Sequence, residues 1–250
     1  LDYKIQNIND LANDLNKSPI ERVENAMKKF GRWSESEVVT PIDLARKVLL
    51  QIPCERLDAE SKFLDIASKE GEFASAILQE FGETYKDKIY SIPTSSIAYE
   101  FTRKVYEALD MPVTNIIDKY NTYSLRGEQA EEIINELKNM GITVVVGNPP
   151  YQDETLGDNG TFTPPVYNKF LDASYEIADK VEMIHPARFL FNAGSTPKAW
   201  NEKMLSDPHF KVLHYESDAS VMFTNTEIKG GVVISYRDKN KSYGAIRVFT

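Results

Sequence analysis

Val144-Val145-Val146-Gly147-Asn148-Pro149-Pro150-Tyr151 is the stretch that decides the fold. Three β-branched residues in a row, preceded by Ile142 and Thr143, are apolar on both faces of a strand. A strand needs that only when helices cover both sides of its sheet, so the run predicts a central strand of a parallel sheet. The sequence then changes character. Proline has no N–H for a ladder and a fixed φ, so Pro149-Pro150 stops the sheet and holds the chain extended just past its edge. In open α/β folds, functional groups collect at the carboxyl ends of the strands.

Working outward, short apolar strands alternate with amphipathic helical stretches. Lys62–Ile66, Ile89–Ile92, Val113–Ile117 and Ile142–Val146 read as strands, followed by 180–184, 210–216 and 231–237. Helices are predicted over 71–81, Ser95–Leu109, 128–140 and 165–178. That alternation means a doubly wound, mostly parallel seven-stranded α/β sheet. Residues 1–33 read as helical, with a capping box at Ser18-Pro19-Ile20-Glu21, and Thr40-Pro41-Ile42-Asp43 starts a second helix. The expected division is a helical N-terminal segment, 1–36, and a catalytic domain, 37–250. The long polar stretch Gln152–Pro165 is expected to be functional or mobile.

At 250 residues the chain fits one large domain. Its net charge of −9 argues against broad nucleic-acid adhesion by this chain alone, although a local basic groove is compatible with it. The single cysteine, Cys54, excludes a disulfide framework and fits a reducing, cytoplasmic setting; it reads as a small buried hydrophobe. No run approaches the ~20 apolar residues that span a bilayer, so no membrane association is expected. His185, His209 and His214 lack metal-ligand spacing, and no metal is expected. There is neither a Gly-x-Ser-x-Gly segment nor a phosphate-binding Gly-Lys-Ser/Thr loop. The chain starts without methionine and stops in the strand-like run Arg247-Val248-Phe249-Thr250, which reads as a piece of a longer protein.

The Asn148 amide and the Pro149 carbonyl are two acceptors that can face one point, with the Tyr151 ring beside it. This suits a planar group bearing an exocyclic amine: the acceptors take its N–H groups and the aromatic stacks on its face. The plain alternative is a proline-rich turn with Tyr151 as a core aromatic.

Asn148-Pro149-Pro150-Tyr151 resembles the catalytic motif of S-adenosylmethionine-dependent amino-methyltransferases, above all the N6-adenine DNA methyltransferases. The four letters alone are shared with rRNA guanine and protein-glutamine methyltransferases. Other segments extend the resemblance in order. Val38-Val39-Thr40-Pro41 resembles the segment lining the methionine end of the cofactor pocket. Phe63–Phe73 sits where the family has Asp-Pro-Ala-Cys-Gly-Ser-Gly-x-Phe, with Asp65, Ala67, Gly71 and Phe73 matching. Pro165–Leu171, Met183–Leu190 and Val221-Met222-Phe223 with Ile228–Val232 resemble later motifs. The order is that of the gamma class, and the likeness is greatest to the fused methylases of single-chain restriction–modification enzymes. The resemblance implies a Rossmann-like fold, S-adenosylmethionine as cofactor, and double-stranded DNA as partner through a recognition domain outside this chain. It implies that Asn148 and Pro149 accept from the adenine amine, within the catalytic set completed by Pro150 and Tyr151. Tyr151 and Phe223 would flank the base, and Thr40, Pro41, Asp65, Ala67, Gly71, Phe73, Thr94 and Asp118 would serve the cofactor.

Two departures matter. Ser68, Lys69 and Glu70 replace cysteine, glycine and serine, and the Lys-Glu pair is expected to cost backbone freedom and intrude on the pocket. The second strand and its turn, Ile89–Ser96, carry no carboxylate for ribose hydroxyls, leaving Thr94 or Ser95. The rival readings are an RNA or protein-glutamine methyltransferase, and a weakened module that only positions DNA.

Overall fold

The computed structural model describes residues 13–28, 38–153, 164–223 and 226–246. The strands are β1 (Phe63–Ser68), β2 (Ile89–Pro93), β3 (Val144–Gly147), β4 (Lys180–Pro186), β5 (Phe210–Glu216) and β6 (Val232–Asp238). The helices are α1 (Pro19–Met27), α2 (Ile42–Leu49), α3 (Glu72–Phe81), α4 (Ser96–Ala108), α5 (Ala130–Asn139), α6 (Tyr167–Ile177) and α7 (Lys198–Ser206). The strands form one sheet in the order β2-β1-β3-β4-β6-β5. β2, β1, β3 and β4 are parallel, and β6 runs antiparallel between β4 and β5. The chain leaves β1 toward β2 and returns to lay β3 on the opposite side. The switch point of the sheet is therefore the crevice between β1 and β3.

The valine run behaves as its composition requires. Val144 and Val146 join a cluster with Phe63, Ile184 and Tyr236 that takes in Val23, Ala45, Val48, Phe73, Ile77 and Val105 from α1 to α4. Val145 faces the other way, with Leu64, Ile66, Val181 and Met183 against Ile133, Leu137 and Phe170 of α5 and α6. Alternation of period two thus fills both layers from one strand.

The strand expected at Val113–Ile117 is not formed. Val113–Asn115 is a 3₁₀ turn, and the segment touches the sheet by a single Ser91–Ile116 bridge. The reason is a side chain. Asn115 Nδ2 donates to the carbonyls of Asp87 and Ile89 at 3.0 and 3.1 Å, taking edge acceptors that a strand ladder would need. Helix α7 was not read from the sequence; it buries Trp200 and Met204, four residues apart. Of the helical N-terminal stretch, α1 is described, with Ser18 Oγ accepting from Glu21 N and Glu21 Oε2 from Ser18 N. Residues 1–12 and 29–37, the boundary expected at 36/37, the chain end 247–250 and the Cys54 side chain lie outside the described residues.

Candidate active site at the switch point

The loop after β1 and the tetrapeptide after β3 meet at this crevice. Gly147 has φ +154, and a Cβ there would lie 3.2 Å from Ile66 Cγ2 and 3.5 Å from Asp65 Oδ1. Glycine lets the two strand ends close together around the Asp65 carboxylate. Asp65 is fully buried; Oδ1 accepts from Ala67 N at 3.2 Å and Oδ2 has no protein partner. Burial and the nearby Glu72 carboxylate hold its carboxyl well above the usual range, against the opposing pull of the Ala67 N–H and Lys69.

The loop turns on Gly71 alone. It has φ +74, and a Cβ there would press to 3.1 Å on Val105. Neither Lys69 nor Glu70 has a positive φ, so the expected loss of backbone freedom does not arise. Instead the Glu72 side chain turns back and Oε2 accepts from Glu70 N at 2.9 Å and Lys69 N at 3.4 Å. Ser68 Oγ accepts from Gly71 N at 3.1 Å and is bonded to Thr102 Oγ1. Lys69 is buried, and its Nζ donates to the main-chain carbonyl of Asn148 at 2.8 Å.

Asn148 is 1% exposed. Its Nδ2 donates to Val38 O and Thr40 Oγ1, both at 3.1 Å. With both amide protons engaged, Oδ1 is the end left over, and it has no partner. Beside it, Tyr151 is buried with an unpartnered hydroxyl. Burial pushes its phenol strongly up. Past Tyr151 the chain is pinned. Val166 N donates to Tyr151 O, Asp153 N to Pro164 O, and Arg126 grips Asp153 with two 2.6 Å bonds. Residues 154–163 of the polar stretch lie outside the described residues.

The other expected site residues divide. Thr94 N bonds Ser68 O, and its buried hydroxyl has no partner. Ser95 is spent capping α4, accepting from Ala98 N. Phe73 is core, and Pro41 caps α2 through its carbonyl. Asp118 is exposed on the loop after the Ser91–Ile116 bridge and bonds none of the others. Phe223 is packed in the same apolar cluster as Tyr151, Val232 and Ile234. Arg188 donates from its Nε to Lys229 O at 2.6 Å. Sequence reasoning missed the tie from Thr40 to Asn148 and that from Lys69. The available signal was the pair of prolines: a segment without N–H groups must be held by something other than its backbone.

The sequence profile of the Eco57I restriction-modification methylase family matches residues 2–223. This chain belongs to that family. Among curated proteins, none matches it by sequence. Its fold is shared with the type I restriction-modification methyltransferase subunit from Streptococcus thermophilus, at 17% identity and TM-score 0.59 over 89% of this chain and 49% of that one. The type IIG restriction endonuclease BpuSI gives 17% and 0.58 over 89% and 28%. The ATP-dependent type ISP enzyme LlaBIII, bound to DNA, gives 15% and 0.56 over 91% and 21%. The chain thus spans half or less of the length of these structures.

The cofactor of such a methylase is S-adenosylmethionine, and the methylase's own residues fit it. Four buried polar atoms, Asp65 Oδ2, Thr94 Oγ1, Asn148 Oδ1 and the Tyr151 hydroxyl, lack protein partners. Each such orphan costs about 1–3 kcal/mol unless a ligand satisfies it. An acid matches the cofactor's ammonium, and a hydroxyl matches its ribose. Among the described residues no group of three His, Cys, Asp or Glu side chains is placed to hold a metal, and no described helix is long and apolar enough to cross a membrane.

Proposed function

We propose that this methylase transfers a methyl group from S-adenosylmethionine to the N6 amino group of an adenine flipped out of double-stranded DNA. The observation that carries the reading is the commitment of both Asn148 Nδ2 protons to Val38 and Thr40, which leaves Oδ1 as a fixed acceptor beside Tyr151. An exocyclic amine must be drawn out of the stack to reach such a point. Asn148 Oδ1 and the Pro149 carbonyl take its two N–H groups, and Tyr151 stacks on the ring. These bonds orient the nitrogen lone pair for in-line transfer. The cofactor supplies an electrophilic methyl on a sulfonium. Loss of the amine proton follows once the nitrogen is cationic, so no strong base is required. Thr94 serves the ribose in place of a carboxylate, Thr40 and Asp65 serve the methionine end, and Asp118 the adenine edge. DNA is held by a recognition domain beyond this chain, which accords with the charge of −9.

The test is transfer of a labelled methyl group to unmethylated DNA by the whole protein, with the product nucleoside identified by mass. N6-methyladenine is expected, and Asn148→Ala should abolish it while sparing binding of S-adenosylhomocysteine. Label on guanine or on a protein glutamine would assign the other reading. Undiminished turnover in Asn148→Ala would overturn the mechanism.

A further inference from the structure

Lys69 stands where the methylases it resembles carry a glycine, yet it is 2% exposed and its side-chain ammonium donates to the Asn148 carbonyl at 2.8 Å. Three features make that bond more than a way to bury a charge. Asn148-Pro149-Pro150 has one backbone N–H in three residues, and β3 ends at Gly147, so no ladder fixes the Asn148–Pro149 peptide. The Asn148 side chain is already anchored from the opposite direction by Val38 and Thr40. The lysine reaches across the switch-point crevice from the loop after β1, tying together the two strand ends that form the site.

The geometry points to Lys69 as a positioning residue for methyl transfer: its ammonium holds the Asn148–Pro149 peptide so that Asn148 Oδ1 and the Pro149 carbonyl converge on the target amine. The assignment rests on the amino-methyltransferase reading above. With the side chain clamped at Nδ2 and the main chain clamped at its carbonyl, Asn148 is fixed at two points and Oδ1 cannot swing. Glu72, buried at the start of α3 with its side chain accepting from the Lys69 N–H, is a nearby acidic group that makes a desolvated ammonium tolerable there. The replacement of glycine is then compensation: backbone turning is delegated to Gly71, and the freed position carries a brace.

The experiment uses the whole protein with unmethylated DNA, comparing Lys69→Met, which keeps the length and removes the donor, with wild type. Steady-state transfer is read beside calorimetric binding of S-adenosylhomocysteine and the thermal midpoint. We expect kcat to fall by about tenfold or more, with affinity for S-adenosylhomocysteine within about twofold of wild type. Lys69→Arg, which restores a cationic donor, should recover part of kcat. Since removing the cation leaves two buried acids facing each other, the double variant Lys69→Met with Glu72→Gln keeps the test valid if the single variant folds poorly. It should bind ligand normally and still lose kcat. Unchanged kcat overturns the assignment, and so does tighter ligand binding in Lys69→Met, which would make the lysine a plug in the pocket. A parallel fall of kcat, affinity and midpoint in the double variant also overturns it, in favour of a purely structural role. A wild-type protein that binds ligand but methylates no DNA would overturn the functional reading and this assignment together; an active wild type with an unaffected Lys69→Met would overturn this assignment alone.

Discussion

A single amide orientation separates a catalytic asparagine from a turn-forming one. In Asn148 that orientation is set by residues 108 and 110 positions away in sequence, Thr40 and Val38. The bond to Thr40 Oγ1 can be removed without changing shape by Thr40→Val. One of two anchors then remains, so kcat should fall several-fold, at a stability cost of about 1 kcal/mol. Thr40→Ser should keep both quantities near wild type. Single-turnover transfer and urea unfolding would measure the two effects separately. An undiminished rate in Thr40→Val would mean that Val38 alone suffices. At this scale the acceptor chemistry of Asn148 was legible from residue types, whereas its anchoring was not, because both anchors belong to the far side of a fold that must first close.

Among the elements, β4 shows how burial is tolerated. His185 lies fully buried on it, stacked on Tyr167, with Nδ1 on the Pro186 carbonyl and Nε2 on Ser235 of β6. A carbonyl only accepts, so Nδ1 carries the proton and Nε2 accepts from the serine hydroxyl. The ring is thus held neutral, and burial lowers its pKa from the ordinary 6.5 to about 3. A histidine lowered in the folded state binds protons more readily when unfolded. Its contribution is complete above pH 6.5 and is lost as pH falls toward 3, by about 1.4 kcal/mol per pH unit. In His185→Gln, which retains a polar partner for Ser235, that slope should vanish, so the stability gap to wild type narrows as pH drops from 7 toward 5. Denaturant titrations of both proteins at several pH values would show it; parallel curves would mean that the buried ring protonates freely. The same scale holds the misread third strand. Val113–Ile117 has the apolar pattern of a strand, but the competing Asn115 amide acts on carbonyls 26 and 28 residues earlier.

For the whole molecule, the ion pair of Arg56 with the buried Asp238 ties the approach to β1 to the end of β6, so the first and last strands close one body. Charge is the property that bears on partners. A chain of net charge −9 releases few counterions from DNA, so these residues alone should bind duplex no more tightly than about 10⁻⁴ M at physiological salt. Fluorescence anisotropy with a labelled duplex would test it. Micromolar affinity with a steep salt dependence would place a substantial basic DNA surface within this chain, contrary to the proposed division of labour.

By itself the sequence determined the class of fold and the central strand, and it motivates the chemistry proposed for the end of that strand. Those follow from local rules: β-branched runs, period-two burial and the donor that proline lacks. Even the departure at Lys69 was visible, though the expected cost in backbone freedom does not arise. Only the tertiary structure decided that Gly71 alone makes the turn, that Lys69 braces Asn148, that Ser95 is a cap and that Thr94 is left unpartnered. The reason is physical. A hydrogen bond across the switch point depends on how two non-adjacent strands are brought side by side, and that placement is fixed by packing summed over both layers rather than by any segment's own neighbours.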